Sequence, residues 1–359
     1  MYAVIMAGGS GTRFWPASRT HLPKQFLRIT GEQTLFEETL ARIRPLVPDS
    51  NIYVVVNARH AAMTRQLLGT CAAEVLIEPQ GCNTAACIGL AALHIRQRDA
   101  HAPILVLPSD HFVGDTARFT HLLTAAARIA GAEEAIVTLG VPPTRPETGY
   151  GYIEVGNEQG EAQDVSYFQV ERFVEKPDRD TALHYLASGR YLWNSGIFVF
   201  TAQTILSEIA HHMPRLYAGL REIEPAIGSA RYAAVLESVY QKLEAVSIDY
   251  GVMEKTRLPI YVLRADFGWS DVGSWQALYE LRQEAQDADG NLLLGKAVAV
   301  DARQNLVYST TKRLVALLGV EELTIVDTPD ALLVSARHRS QEVRQIPELL
   351  RRSGYSQLC

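Results

Sequence analysis

A short apolar run followed directly by a glycine-rich turn dominates the start of the chain. The run covers residues 3–7, and the turn at residues 8–13 reads GGSGTR. An apolar run of this length bounded by glycines predicts a buried strand. Glycines also let backbone N–H groups approach an anion that a Cβ atom would keep away. We therefore expect an α/β fold in which the loop after the first strand holds a phosphate.

Two cations and the spacing of the glycines narrow the kind of loop. Arg13 lies in the turn and Lys24 follows shortly after it, and a plain tight turn needs neither. The dinucleotide fingerprint G-x-G-x-x-G does not fit, because Arg13 and Phe14 stand where its last glycine should fall. The candidate nucleotide-binding residues of this region are Ala7, Gly8, Gly9, Gly11, Thr12, Arg13 and Lys24.

A second glycine motif is interpreted as chance. Residues 290–296 approach the pattern G-x-x-x-x-G-K-[ST], but Ala297 replaces the hydroxyl that would hold a metal ion. The residues after it alternate as in a strand, whereas this pattern needs a helix there.

Length and charge indicate an enzyme of ordinary composition with more than one structural unit. The chain has 359 residues, and single hydrophobic cores stop growing at about 250 to 300 residues. A net charge of −6 without a basic run argues against a nucleic-acid surface. The sequence shows neither a membrane-length apolar run nor a cleavable signal, so we expect a cytoplasmic protein that does not bind membranes. Four cysteines fit neither a zinc spacing nor a disulfide framework.

Apolar runs alternate with helical patterns over the first two thirds of the chain. The predicted strands cover 52–56, 75–77, 104–107 and 135–139, and the intervening patterns predict helices. This order predicts a doubly wound, mostly parallel sheet in an α/β fold.

From residue 270 onward the pattern changes to short β-prone segments at even spacing. They cover 297–301, 305–308, 314–318, 324–326 and 331–334. Such spacing is typical of a solenoid or β-helix. We expect one domain over 1–287 and a small β-helix-like domain with a terminal helix over 288–359.

Two carboxylates follow predicted strands and suit a magnesium site. Asp110 follows the run at 104–107, and Asp271 follows the strand-like run at 260–263. Mg²⁺ prefers oxygen ligands and binds through one or two carboxylates together with substrate phosphates. The alternative is that each aspartate only caps the helix after it. His111 beside Asp110 is interpreted as a supporting or surface residue.

A second group of polar residues stands at other strand ends. Glu175 and Lys176 precede Pro177, where a strand must end, and Asn194 opens an apolar strand. A carboxylate and an amide can read sugar hydroxyls, and an ammonium can meet a phosphate. The alternatives are a solvated Glu–Lys pair and an asparagine that satisfies local backbone groups.

These motifs together resemble a known family. They are GGSGTR at 8–13, PKQ at 23–25, LPSD at 107–110, TGYGYI at 148–153, FVEKP at 173–177 and WNSG at 193–196. In this order, over nearly the whole chain, they are similar to the sugar-1-phosphate nucleotidylyltransferases. FVEKP and SIDYGVME at 247–254 resemble the bacterial mannose-1-phosphate guanylyltransferase branch. The sequence departs from the family at Cys82, usually Arg, and at Ala86, usually Pro.

The resemblance implies a Rossmann-like, GT-A-like catalytic domain and a defined reaction. GTP and mannose 1-phosphate would give GDP-mannose and pyrophosphate, with Mg²⁺ as cofactor and a homodimer as the assembly. Arg13, Lys24 and Asp110 would be the catalytic residues, and Asp110 and Asp271 the metal ligands.

The resemblance implies which residues contact the sugar phosphate, and the chemistry of guanine suggests which residue reads the base. The sugar phosphate would contact Gly151, Glu175, Lys176 and Asn194. Guanine presents two neighbouring donors, which a carboxylate can accept together, so Glu78 is the candidate base reader and Asn83 the alternate.

Three alternatives remain open at this point. The same fold can serve another nucleotide or sugar phosphate, a binding module can sense a nucleotide sugar without turnover, and the C-terminal β domain can be a scaffold for assembly. The presence of both Asp110 and Lys176 argues against a sensor, because a sensor does not need the full set of phosphate-neutralising groups.

Overall fold

The computed structural model describes residues 1–9 and 11–359. The chain forms two compact units, each assembled from three segments. The first unit contains Met1–Gly8, Leu40–Ser109 and Val113–Trp269. The second unit contains Gly9–Thr39, Asp110–Phe112 and Ser270–Cys359. The predicted boundary between residues 287 and 288 stays a prediction.

The strands and helices are numbered in chain order. The strands are β1 Tyr2–Ala7, β2 Ile52–Asn57, β3 Glu74–Glu78, β4 Pro103–Pro108, β5 Phe112–Val113, β6 Ile136–Val141, β7 Gly151–Ala162, β8 Val165–Glu175, β9 Tyr191–Thr201, β10 Ile260–Arg264, β11 Trp269–Ser270, β12 Leu292–Leu294, β13 Ala297–Val300, β14 Leu306–Ser309, β15 Val315–Leu318, β16 Leu323–Asp327 and β17 Leu332–Ala336. The α-helices are α1 Leu35–Ile43, α2 Ala61–Leu68, α3 Asn83–Arg98, α4 Thr116–Ala132, α5 Arg179–Ser188, α6 Ala202–His212, α7 Pro214–Ile223, α8 Tyr232–Tyr240, α9 Trp275–Leu281 and α10 Gln345–Arg352.

A nine-stranded sheet organises the first unit, in the order β3-β2-β1-β4-β9-β6-β10-β8-β7. Strands β1, β2, β3 and β4 pair in parallel, as do β6 and β10. Strand β9 is antiparallel to β4 and β6, and β8 is antiparallel to β10 and β7. Within this sheet β8 and β9 therefore run against the shared direction of the other strands. The predicted α/β fold with a mostly parallel sheet is confirmed.

The core of the first unit explains why these segments pair. The central strands are apolar on both faces, and the residues of β2 from Ile52 to Val56 are all buried. Helix α3 buries most of its length against the sheet and packs on α6. Strands with two covered faces are typical of parallel α/β sheets.

The second unit contains the predicted β-helix-like region. Strands β12, β14 and β16 pair in parallel, β13 and β15 form a separate parallel pair, and β17 closes the first sheet antiparallel to β16. Successive short strands thus alternate between two stacks. The fold prediction for this region is confirmed, and β12 is a strand that the sequence pattern did not indicate.

Helix α1 begins at a reciprocal cap within the second unit. The backbone N–H of Thr34 donates to Glu37 Oε2 at 2.8 Å, and the backbone N–H of Glu37 donates to Thr34 Oγ1 at 3.2 Å. This capping box satisfies two donors that the first turn leaves free.

A helix that crosses a bilayer needs about 20 predominantly apolar residues. Among residues 1–9 and 11–359, none of the helices is both long and apolar enough to cross a membrane.

Candidate active site

The glycine turn leaves β1 at Ala7, and its described part requires glycine at one position. Gly11 has φ of +58°, a conformation that favours glycine. A Cβ atom there would also collide with Lys24, whose backbone N would lie 2.7 Å away. The predicted residue Thr12 opens a 3₁₀ turn at Thr12–Phe14. Glycine at position 11 therefore lets the turn pack closely against the segment that carries Lys24.

Lys24 brings together two of the predicted residues in the second unit. Its Nζ lies 3.0 Å from Asp110 Oδ2, and its side chain is only 7% exposed. The same Nζ donates a hydrogen bond to the backbone carbonyl oxygen of Asp271. One buried ammonium thus joins the end of the β4 segment to the segment that follows β11.

The charge state of Asp110 follows from its neighbours. Burial alone would raise the pKa of this carboxyl. The positive charge of Lys24, and then that of His111, outweigh burial, so the pKa of Asp110 lies below its usual value. His111 Nε2 lies 4.0 Å from Asp110 Oδ1. Asp110 is therefore ionised at neutral pH, as a ligand for a hard cation must be.

The donor chemistry of Asp110 and Asp271 fits a magnesium ion. Both supply carboxylate oxygens. A Cβ atom at Gly273 would lie 2.6 Å from Asp271 Oδ2, so glycine there leaves room for the carboxylate. Within the described part of the chain, no three His, Cys, Asp or Glu side chains are grouped to hold a metal ion. Mg²⁺ needs no such group, because substrate phosphates and waters complete its shell.

Arg13 has a neutral partner from the end of the second unit. Its Nη1 donates to Gln341 Oε1 at 3.0 Å. Sequence patterns did not single out Gln341, which lies 328 positions away in the chain.

Three of the predicted sugar-phosphate residues converge in the first unit where β7 pairs with both β8 and β9. Gly151 pairs with Glu175 across β7 and β8, and Asn194 pairs with Gly140 across β9 and β6. A Cβ atom at Gly151 would collide with Glu175 Oε2 and lie 3.2 Å from Asn194 Cβ. Glycine at position 151 is therefore what lets these two side chains converge.

Lys176 completes this group and departs from ordinary strand geometry. Its φ of 49° turns the chain at the end of β8. Its Nζ forms an ion pair with Glu175 Oε1, and the lysine side chain remains 55% exposed. Burial opposes the charged form, but the hydrogen bond and charge of Glu175 raise the pKa of Lys176. The ammonium is thus charged and accessible to an anion.

Asp249 belongs to the same cluster, although its role was not predicted. Asn194 Nδ2 donates to Asp249 Oδ1 at 2.9 Å, while Asn194 Oδ1 accepts from the backbone N–H of Gly196 at 3.0 Å. Burial, and then the charge of Glu175, raise the pKa of Asp249 to about 6. The segment 247–254 was noted in the sequence only as a family motif, and that motif was the available signal.

The two candidate base readers differ in exposure. Glu78 ends β3, is 4% exposed, and accepts a hydrogen bond from the Tyr240 hydroxyl at 3.1 Å. Burial raises the pKa of Glu78 to about 7. Asn83 at the start of α3 is exposed, has φ of 66°, and accepts from the backbone N–H of Thr84 at 2.9 Å. Glu78 can read a base only if its carboxyl becomes accessible to the nucleotide. The Asn83 side chain is already exposed.

Both departures from the family pattern are buried. Cys82 is 2% exposed and Ala86 is 1% exposed. The Cys82 Sγ lies 3.7 Å from the backbone oxygen of Tyr240 and serves as a weak donor to it. Gln80 Nε2 donates to the same oxygen at 2.7 Å. These contacts place Cys82 in the packing around Tyr240.

Comparison with known proteins covers almost all of the chain. Residues 2–288 match the family described as nucleotidyl transferase, and residues 295–350 match the MannoseP isomerase/GMP-like beta-helix domain. The xanthan biosynthesis protein XanB of Xanthomonas campestris pv. campestris (strain B100) is 41% identical over 359 residues, which cover 99% of this chain and 74% of that protein. A mannose-1-phosphate guanylyltransferase of Escherichia coli is 40% identical over 98% of this chain and 74% of its own length.

A solved structure is similar to this chain over almost its whole length. The Thermus thermophilus protein described as mannose-1-phosphate geranyltransferase has a TM-score of 0.86 and 37% identity, over 98% of this chain and 99% of that chain. Nucleotidyltransferases of this kind typically use a divalent metal. The chain belongs to the nucleotidyl transferase family, on its mannose-1-phosphate guanylyltransferase branch.

Proposed function

We propose that the protein transfers GMP from GTP to mannose 1-phosphate, giving GDP-mannose and pyrophosphate. The observation that carries the proposal is the buried Lys24 held between Asp110 and the backbone of Asp271. This cation and these carboxylates suit a polyphosphate and its metal, and membership of the family supports the choice of substrates.

The reaction needs charge neutralisation more than proton transfer. A phosphate oxygen of mannose 1-phosphate forms a bond to the α-phosphorus of GTP, and the bond from that phosphorus to the pyrophosphate oxygen breaks. The nucleophile is already an anion, so no general base is required. Positioning and electrostatic stabilisation therefore carry the catalysis.

The glycine turn and its cations bind the triphosphate in this proposal. Backbone N–H groups of Gly8, Gly9, Gly11 and Thr12 cradle the phosphates. Arg13 and Lys24 neutralise the departing pyrophosphate. Asp110 and Asp271 would hold a magnesium ion, which would supply Lewis-acid activation of the α-phosphate.

The cluster of the first unit binds the sugar phosphate in this proposal. The exposed ammonium of Lys176 meets the phosphate, since its charge is favoured by Glu175. Glu175, Asn194 and the backbone at Gly151 read the hydroxyls of mannose. Glu78 or Asn83 reads guanine. We also expect a homodimer, which light scattering on the purified protein tests.

A coupled pyrophosphate-release assay tests the function. GTP with mannose 1-phosphate should give the highest kcat/KM in a panel that includes ATP, UTP, dTTP, glucose 1-phosphate and a heptose 1-phosphate. A higher value for another pair would replace the substrate assignment. Tight binding of GDP-mannose with no pyrophosphate release for any pair would instead identify a sensor.

A further inference from the structure

The turn after Gly11 is held in place by residues from the far end of the second unit. Arg13 Nη1 donates to Gln341 Oε1 at 3.0 Å. Gln341 lies in a 3₁₀ segment, Arg337–Arg344, that follows β17. The contact joins a predicted phosphate-binding arginine to the C-terminal β region.

The residues beside this contact share one hydrophobic core. Phe14, next to Arg13, is 0% exposed, and Val343, close to Gln341, is 3% exposed. Both belong to the cluster built around Trp275. The Phe14 and Trp275 rings meet edge to face with centroids 4.8 Å apart. The backbones on both sides of the Arg13–Gln341 hydrogen bond are therefore fixed by packing.

The segment that carries Gln341 has further anchors. Ser340 is buried, and the Arg337 guanidinium lies over the Tyr279 ring at 4.0 Å from its centroid. Arg337 Nη1 also donates to Gln276 Oε1 at 2.9 Å. Gln341 itself is exposed, so its side chain projects from a rigid support.

Two more contacts tie the turn to the same region. Trp15 Nε1 donates to the backbone oxygen of Leu358 at 2.8 Å. Arg19 forms an ion pair with Asp330 at 2.8 Å, and the arginine side chain is 5% exposed. The segment after the glycine turn therefore contacts the C-terminal part of the second unit through both Trp15 and Arg19.

The chemistry of glutamine suits an orienting role. An arginine has five N–H donors in a planar fork, and one neutral acceptor leaves the other donors for a phosphate. Because an amide oxygen carries no net charge, it fixes the fork without neutralising it. A carboxylate at the same place would compete with the phosphate for the guanidinium.

We propose that Gln341 is a positioning residue that orients Arg13 for the triphosphate, so that the C-terminal β region takes part in nucleotide binding. This inference rests on the proposed role of Arg13. The groups assigned to the sugar phosphate lie in the first unit. Loss of Gln341 is therefore expected to affect one substrate and not the other.

Steady-state kinetics and calorimetric GTP binding test the inference. Gln341→Ala should raise the KM for GTP about three- to tenfold, in line with the net contribution of one ordinary hydrogen bond, because the effect on GTP is indirect. The KM for mannose 1-phosphate should not change. Gln341→Glu should also weaken GTP binding, since its charge neutralises Arg13. Glu342→Ala is the matched control, because Glu342 lies next to Gln341 and pairs with the exposed Arg339, and it should behave as the unmodified protein.

A double-mutant comparison separates positioning from general support. In an Arg13→Ala background, Gln341→Ala should have no further effect on GTP binding. The inference would be overturned if Gln341→Ala weakened GTP binding as much in the Arg13→Ala background as in the unmodified protein. Equal increases in KM for both substrates would also overturn it, and so would unchanged GTP binding in Gln341→Ala. Calorimetry reports on Gln341 even if no pair of substrates turns over, so failure of the proposed reaction is distinguishable from failure of this inference.

Discussion

Lys24 and Asp110 form an ion pair of 3.0 Å between Nζ and Oδ2, and the same ammonium donates to the backbone oxygen of Asp271. The lysine side chain is almost fully buried. Removal of one partner of a buried pair leaves the other charge uncompensated. Loss of either charge is therefore expected to destabilise the fold, so the kinetics of such variants are compared with their thermal unfolding curves.

Asp271→Asn tests the metal assignment with little change in shape. The substitution keeps the backbone oxygen that accepts from Lys24 and removes the carboxylate charge. We expect turnover to fall at least about a hundredfold, equivalent to roughly 2.7 kcal/mol of barrier, while the thermal unfolding curve is preserved. Near-normal turnover at saturating Mg²⁺ would exclude Asp271 as a metal ligand. A helix cap is not the alternative, because Ser274 caps the helix α9 that follows.

Lys176 and Lys24 should affect different substrates. Lys176→Gln removes an exposed ammonium paired with Glu175 and should chiefly raise the KM for mannose 1-phosphate. Lys24→Gln removes a buried ammonium and should chiefly affect GTP binding and turnover. Steady-state kinetics with each substrate varied in turn measures the difference. If Lys176→Gln left the mannose 1-phosphate kinetics untouched, the sugar-phosphate assignment would be wrong.

Glu78 makes the stability of the fold depend on pH. Its pKa is raised from 4.5 to about 7 by burial, so its contribution is complete below pH 4.5 and is lost as the pH rises through about 7. Glu78→Gln cannot ionise. The free energy of unfolding of the variant relative to the unmodified protein should therefore rise by about 2 to 3 kcal/mol between pH 5 and 8.5.

A glutamate on the same strand supplies the opposite control. The hydrogen bond from His94 lowers the pKa of Glu74 despite its partial burial. Its stabilising contribution is therefore present at high pH and lost as the pH falls through the lowered pKa. Glu74→Gln should become relatively less stable with rising pH, and denaturant unfolding across pH measures both variants. If the difference in free energy of unfolding between Glu78→Gln and the unmodified protein did not change with pH, Glu78 would not be a buried carboxyl whose pKa is raised.

The same Glu78→Gln variant tests base recognition. ITP lacks the N2 amine of GTP, and a well-placed polar contact typically gives about 1 to 3 kcal/mol of discrimination. If Glu78 reads guanine, the preference for GTP over ITP should narrow in the variant. Unchanged selectivity, measured as the ratio of kcat/KM values, would transfer the assignment to the exposed Asn83, and Asn83→Ala is then the next substitution to measure.

Asp249 should give the sugar-phosphate kinetics a pH dependence near 6. Burial and the charge of Glu175 raise its pKa to about 6, so it accepts hydrogen bonds as a carboxylate above that pH and is neutral below it. The kcat/KM for mannose 1-phosphate should fall below pH 6 more steeply than in Asp249→Asn. Titration of the substrate phosphate, with a pKa of about 6, is common to both enzymes. Parallel profiles would exclude Asp249 from sugar binding.

The sequence predicts the elements and the motif residues because their signals are local. The glycine turn, the apolar runs and the pattern before Pro177 each lie within a few positions. Gly151 begins β7 and Glu175 ends β8, and the two pair directly. Asn194 was predicted to open its strand, but β9 begins at Tyr191, so Asn194 lies inside the strand. Once the strands pair, the register of the sheet places residues from different strands side by side.

Partners distant along the chain were not predicted, because their proximity depends on tertiary packing. Asp249 lies 55 positions from Asn194 and occupies a short π-helical segment, Asp249–Met253, with no period of its own to read. Gln341 lies 328 positions from Arg13, and their neighbours Phe14 and Val343 pack in one core. The burial of Glu78 likewise depends on Tyr240, 162 positions away.

The three-segment composition of the second unit has a consequence for synthesis of the protein. Residues 9–39 leave the ribosome early, but their packing partners include residues 270–359. Because domains generally fold as they emerge, with the N-terminal part first, this early segment must wait for almost the whole chain before it can pack. Contacts of such long sequence separation slow folding. Arg13 and Lys24 are therefore among the first residues translated and among the last to reach their working positions.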